Sequence, residues 1–181
     1  MSHRRGPVAQ RGLSLVEQTI TLAIAALAVG SALPGLDRLR QAQQLEGMAA
    51  RLQTELHYAR SIALERRQGT RLSFEALPQG GWCYVIHTGG SRDCRCDHPD
   101  GARCSSAAEA LRHMHGAHSP LRQLSSNSRS LLFDPALGTV TPTASIDLQD
   151  SHGRSLRLVV SIMGRVRSCS PEDSLPGHKP C

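Results

Sequence analysis

Residues 11–36 read RGLSLVEQTITLAIAALAVGSALPGL, and the fold of the whole chain turns on how this stretch is understood. Its apolar run is short and is interrupted by Glu17, Thr19, Thr21 and Ser31. A helix that crosses a bilayer needs about 20 mostly apolar residues, so the run only just suffices. Arg4, Arg5 and Arg11 precede it and no comparable cluster follows it. That asymmetry keeps the leader cytoplasmic and sends the remainder outward. One reading is a secretory signal peptide with a basic start, an apolar middle and cleavage near Gly30-Ser31-Ala32. Against it, a carboxylate at Glu17 gives a signal peptide nothing. The helical pattern also continues past the apolar run instead of breaking into a polar cleavage region.

The sharper reading rests on Arg11-Gly12-Leu13-Ser14-Leu15-Val16-Glu17. This segment resembles the processing site of type IV prepilins and type II secretion pseudopilins. The resemblance implies that a prepilin peptidase cuts after Gly12 and that Leu13 becomes the methylated first residue. Glu17 is then the fifth. Family members usually begin with phenylalanine, so Leu13 departs from the pattern while the glycine, the apolar run and the glutamate stay in register. A carboxylate on a membrane helix is expensive unless it is paired or near the interface. In a bundle of such helices Glu17 can meet the positive α-amino group of a neighbour, which fixes the axial register. The plain alternative is an acid in the first turn, favoured by the helix dipole. Pro34 stands 22 residues after the proposed cut, where pilin helices commonly carry a proline, and it is expected to kink the helix.

Charge is distributed unevenly over the 181 residues. Of the net +6, residues 1–12 contribute +3 and residues 151–181 contribute +3, so the body between them is formally neutral. The length suits one compact domain with an appended segment. Cysteines stand at positions 83, 94, 96, 104, 169 and 181. An even count behind an export signal favours disulfides in an oxidising compartment. Tyr58, Phe74, Trp82, Tyr84 and Phe133 are the only aromatic residues, so the core must be aliphatic and extensive base stacking is disfavoured.

Beyond Gly35 the pattern stays helical through about Gln68. Leu45, Met48, Leu52, Leu56, Ala59 and Ile62 recur at three- and four-residue steps as one apolar face. Arg51, Glu55, Glu65 and Arg66 fall largely on the other side, and Gly69 reads as the stop. An unbroken helix from Leu13 to Gln68 would be about 80 Å long. Strand patterns follow at 71–76 and 82–88, a candidate hairpin around Pro78-Gln79-Gly80-Gly81. They resume at 131–133, 145–148 and 155–162. Residues 89–130 have weak periodicity and read as an irregular, cysteine-rich excursion with a short helix near Ser106–Met114.

Ala59-Arg60-Ser61, the turn Leu132-Phe133-Asp134-Pro135 and the terminal Gly164-Arg165-Val166-Arg167 resemble the GspH/FimT group of minor pilins and pseudopilins. The resemblance implies an α+β fold, with a long N-terminal helix packed on a small antiparallel β-sheet domain and the first half of that helix transmembrane. The expected parts are a cleaved leader at 1–12, an assembly helix at 13–36, its amphipathic continuation at 37–68 and a periplasmic β-rich domain at 69–181. It implies a single-pass protein of the bacterial inner membrane. Its partners would be other filament subunits, prepilin peptidase and lipid, in a type II secretion pseudopilus or a type IV pilus.

Candidate chemistry is sparse. Cys94, Cys96, His98 and Cys104 could supply zinc ligands, but the spacing matches no standard finger, and disulfides are the favoured reading. Cys169 with Cys181 would close the tail, while Cys94 and Cys96 are too close to pair with each other easily. His98, His113, His115 and His118 lack matching acids and a nucleophile motif, no phosphate loop occurs, and neither an enzyme nor a cofactor is expected. Arg165 and Arg167 would share one side of a strand, with Arg154, Arg157 and Lys179 as neighbours. Such a group suits phosphate contacts, and in FimT-like minor pilins the motif is associated with DNA capture. The plain reading is a basic strand edge that guards against aggregation.

Overall fold

The computed structural model describes residues 14–77, 80–98, 101–116, 119, 121–173 and 175–181. One helix, α1 (Leu15–Arg66), opens it. Ser14 C=O accepts the N–H of Gln18 at 3.1 Å and starts the hydrogen-bonded ladder. Helical backbone then continues through Pro34 to Arg66. The chain divides after Arg40 into two units. In the first, Leu15, Val16, Ile20, Leu22, Ile24, Leu27 and Val29 are all exposed. In the second, Leu45, Ala49, Leu52, Leu56, Ala59 and Ala63 form the buried stripe.

That stripe differs in detail from the expected one. Met48 and Ile62 lie at its flanks, whereas Ala49 and Ala63 lie in its centre. Small side chains at the centre let the helix backbone approach the sheets closely, and the larger ones wrap the contact. Glu55, expected outside, is buried and receives Arg112 Nη1 at 3.3 and 3.4 Å. The helix stop also differs. Arg67 adopts φ 49° and Gln68 N–H donates to Ala63 C=O at 3.2 Å. This is a Schellman ending with arginine at the left-handed position, two residues before Gly69.

Eleven strands are described: β1 (Thr70–Ala76), β2 (Trp82–Thr88), β3 (Cys94–His98), β4 (Gly101–Cys104), β5 (Ala110–His115), β6 (Leu121–Ser126), β7 (Ser130–Phe133), β8 (Val140–Thr141), β9 (Ala144–Asp150), β10 (Ser155–Val160) and β11 (Val166–Cys169). They form an antiparallel five-stranded sheet, β5-β2-β1-β7-β8, a four-stranded sheet, β11-β10-β9-β6, and the separate hairpin β3-β4. The helix stripe, one face of each sheet and Leu175 from the tail share one core.

The excursion at 89–130 is therefore not irregular: it holds β3 to β6. The expected helix near Ser106–Met114 is a turn followed by β5, which pairs with β2 from His87↔Ala110 to Cys83↔His115. Tertiary pairing overrides a local preference here. The hairpin β3-β4 lies against the side of the five-stranded sheet that α1 leaves uncovered. Cys83, Val85, Cys94 and Cys96 make a small second core there, with Leu77, Ala102 and Ala110 around it. Covered on both faces, β2 is buried at all seven positions. Three disulfides hold the domain: Cys83–Cys96 ties β2 to the hairpin, Cys94–Cys104 closes the hairpin, and Cys169–Cys181 closes the tail.

Candidate functional site

The three segments quoted from distant parts of the sequence meet at one side chain. Arg60, late in α1, donates from Nε to the carbonyl of Gly138 at 2.9 Å. A Cβ on Gly138 would lie 2.9 Å from Arg60 Nε, and one on Gly164 would lie 3.0 Å from Arg60 Cδ and 3.1 Å from the Gly138 carbonyl. Both glycines take positive φ, 64° and 71°. Arg60 therefore occupies space that only glycine leaves free. The turn before Gly138 is held by Asp134, whose Oδ1 accepts the N–H groups of Ala136 at 2.9 Å and Leu137 at 2.8 Å. Those donors, Leu137 first, hold the Asp134 carboxyl below its ordinary value.

The turn Ser161–Gly164 closes with Gly164 N–H on Ser161 C=O at 2.8 Å, and Ser161 N–H on Arg165 C=O at 2.9 Å leads into β11. Arg165 and Arg167 are both exposed, as the strand pattern anticipates, and neither has an ion-pair partner among the described residues. Arg167 stands opposite Val159 on β10, on the side away from the core. β11 is an edge strand, so the pair borders open solvent. Lys179 is also exposed, and its carbonyl accepts Ser170 N–H at 2.8 Å, which places it just past the end of β11.

The other two arginines of the expected group are engaged elsewhere. Arg157 forks onto Asp147 at 2.7 and 3.2 Å, and that bond pushes its pKa further up. Arg154 reaches Asp150 at 2.6 and 2.8 Å and Gln41 Oε1 at 3.2 Å. Burial opposes ionisation of Asp150, but Arg154 and the N–H groups of His152 and Arg154 outweigh it and lower its pKa. The cationic surface thus contracts from five candidates to Arg165, Arg167 and Lys179. Asp147 and Asp150 are the residues that the sequence reading lacked. Asp147 stands opposite Arg157 only once the strands pair, and Asp150 faces Arg154 across a turn.

Of the residues expected at the cleavage site, Gly12 and Leu13, neither lies among the described residues. Glu17 is exposed in the first turn of α1, and Pro34 lies within the helix. Among the described residues, α1 is the one helix with a stretch long and apolar enough to cross a membrane.

Two other clusters have the outline of chemistry. Glu75, Cys83 and Cys96 bring potential ligand atoms within 4.8 Å of one another. Both sulfurs are joined in a disulfide, however, and Glu75 Oε2 accepts the N–H of Cys96 at 3.0 Å. A disulfide lacks the thiolate that a metal needs. Cys94 and Cys104 of the zinc alternative are likewise bonded to each other. Ser73 Oγ lies 2.9 Å from His87 Nε2, and His87 Nδ1 lies 2.8 Å from Thr88 C=O. Burial lowers the pKa of His87, leaving a neutral imidazole. Both side chains are buried, so the pair knits β1 to β2 where no substrate reaches. His113 and His115 stand on β5, not in a loop, and His118 is outside the described residues.

A single long helix, apolar and exposed at its start, whose later turns share a core with antiparallel sheets, defines a pilin-type protein. The family model described as type II transport protein GspH matches residues 48–164, and the chain belongs to that family of minor pilins and pseudopilins. Two crystal structures of the type IV minor pilin FimU from Pseudomonas aeruginosa, strain PAO1, share the fold. They superpose with TM-scores of 0.50 and 0.51 at 22% identity, covering 70% and 72% of this chain and 97% and 94% of theirs. No curated protein matches the chain by sequence.

Proposed function

We propose that the chain is a non-enzymatic subunit of a type II secretion pseudopilus or type IV pilus, made as a precursor and inserted in the inner membrane. Residues 1–12 are removed, residues 13–36 hold the mature chain in lipid, and the globular domain faces the periplasm until the helix enters a filament. The observation that carries this reading is the contrast within α1. Its N-terminal turns expose aliphatic side chains on all sides, and its later turns bury a single stripe. A helix that is apolar all round requires an apolar surrounding, and lipid followed by a bundle of like helices supplies one. The mass of the mature protein tests it. Loss of residues 1–12 with the gain of one methyl group is expected, whereas an N-terminus near Leu33 would show an ordinary signal peptide.

A second reading, DNA capture during uptake, draws on the unpaired, exposed Arg165 and Arg167 with Lys179 nearby. Binding of duplex DNA by residues 37–181 should then weaken steeply with salt and collapse in Arg165→Ala/Arg167→Ala. Absence of binding at low salt sinks this reading and leaves the filament subunit untouched.

A further inference from the structure

The turn that precedes Arg165 carries two exposed aliphatic residues that neither reading uses. Ile162 is 58% and Met163 56% exposed, and Leu137, in the turn that Arg60 holds, is 72% exposed. Leu64, in the last turn of α1, is 39% exposed, and its Cδ1 would lie 3.1 Å from a Cβ on Gly138. These residues belong to one place. A Cβ on Gly164 would lie 3.1 Å from the Gly138 carbonyl, both glycines lie against Arg60, and the carbonyl of Ile162 accepts Val140 N–H at 2.8 Å. Hence the turns that bear Leu137 and Ile162-Met163 adjoin each other next to Leu64, and Arg165 and Arg167 follow the second turn into β11.

The turns are held firmly, so the exposure is not a product of slack. Asp134 caps one, Ser161 closes the other, and Arg60 is wedged beneath both. Four large aliphatic side chains gathered at one end and bordered by cations without partners match an interface with an apolar centre and a charged rim. The chemistry of the occupant follows. Phosphate backbone offers nothing to leucine, isoleucine or methionine, and base stacking needs aromatic rings. All five aromatic residues of the chain are buried or half-buried. A protein surface with aliphatic side chains and a carboxylate beside them satisfies both halves. On the chain's own α1, Asp37 stands between the exposed Leu36 and Leu39, but Arg38 and Arg40 leave that stretch net basic, so the matching segment belongs to a different subunit.

We infer that Leu64, Leu137, Ile162 and Met163, with Arg165 and Arg167, form a docking surface for a helical segment of another filament subunit that carries aliphatic residues and a carboxylate. The inference rests on the filament-subunit reading and adds the contact that the globular domain makes. It assigns the arginine motif to protein recognition.

The test uses the full-length chain in cells that carry its filament system, with a photo-crosslinking residue at Leu137 or Met163, or, separately, at Leu22 on the assembly helix. Crosslinks from 137 and 163 to a pilin-type subunit, identified by mass spectrometry, are expected. Their yield should fall about tenfold in Arg165→Glu/Arg167→Glu, since like charge against a carboxylate repels, and should hold in Arg103→Glu, an exposed arginine on β4. Equal yields in all variants would overturn the charge pairing. Crosslinks from Leu22 but none from 137 or 163 would overturn the docking surface and keep the filament subunit. No subunit crosslinks from any position would bring down the filament reading and this inference with it. Crosslinks from 137 and 163 to DNA would also overturn it.

Discussion

Arg60 shows how one side chain can hold two turns from distant parts of the chain. Its stem and Nε fill the space beside Gly138 and Gly164, and both glycines sit at positive φ. Gly164→Ala therefore meets two penalties, a left-handed backbone and contact with Arg60, and should cost about 1–3 kcal/mol. Gly47 lies mid-helix with nothing within 4 Å of its Cβ position, so Gly47→Ala should stabilise by about 0.5–1 kcal/mol. Urea midpoints that move in opposite directions for the two variants check the pair. Asp150 gives a second case. It is buried beneath Arg154, and its folded pKa lies below the ordinary 3.8. Its stabilisation is complete above that ordinary value and is lost as the pH falls through the lower folded one. Asp150→Asn should cost about 1–3 kcal/mol near neutral pH, and the gap between the two proteins' urea midpoints should narrow as the pH falls below the ordinary carboxyl value of 3.8. Neither Arg60 nor Asp150 could be assigned from sequence. Arg60's partner, Gly138, lies 78 residues along and is chosen by tertiary structure, whereas Arg154 is only four residues from Asp150 and meets it because the chain reverses between β9 and β10.

Elements differ in how far their sequence announces them. β9 and β10 pair by a simple hairpin, with Ile146, Leu148, Leu156 and Leu158 alternating inward, so period two is enough to find them, whereas β1 and β2 are announced by apolar runs on either side of a glycine-rich turn. The hairpin β3-β4 has no such alternation because its register shifts between Arg95 and His98 and two disulfides secure it. The helix end was misplaced because Arg67 performs the task usually given to glycine. Relieving that conformation in Arg67→Gly should stabilise by about 0.5–1 kcal/mol, measured by thermal melting. The hairpin is the element most dependent on covalent support. Cys83–Cys96 spans 13 residues, and Cys83→Ala/Cys96→Ala should cost about 2–4 kcal/mol. The hairpin's cover over Val85 should loosen as well. Faster amide exchange confined to β2 and β3, with the sheet β11-β10-β9-β6 unaffected, is the expected signature.

The whole chain keeps its net charge at its ends. The body from Leu13 to Asp150 is neutral, and Arg154 and Arg157 are answered internally by Asp150 and Asp147. The arginines of residues 1–12 and the tail cations Arg165, Arg167 and Lys179 make up the excess. The division after Arg40 separates a segment that needs an apolar host from a domain that needs none. Hydropathy alone puts the change four residues earlier, after Leu36, where the apolar run gives way to Asp37 and Arg38. In the proposed role, Glu17 is the acid that makes lipid a poor permanent host, and the cut after Gly12 creates the α-amino charge that a neighbouring subunit brings to it. Glu17→Ala removes the carboxylate and leaves the apolar run intact. Cleavage and recovery in the membrane fraction should therefore be unchanged, while the amount sheared off with filaments should fall about tenfold, the consequence of losing one paired charge in an apolar bundle. Quantitative immunoblots of sheared and membrane fractions measure both together. Normal filament entry by Glu17→Ala would show that the helix assembles by apolar packing alone, and that the glutamate serves only as the first-turn acid of an ordinary helix.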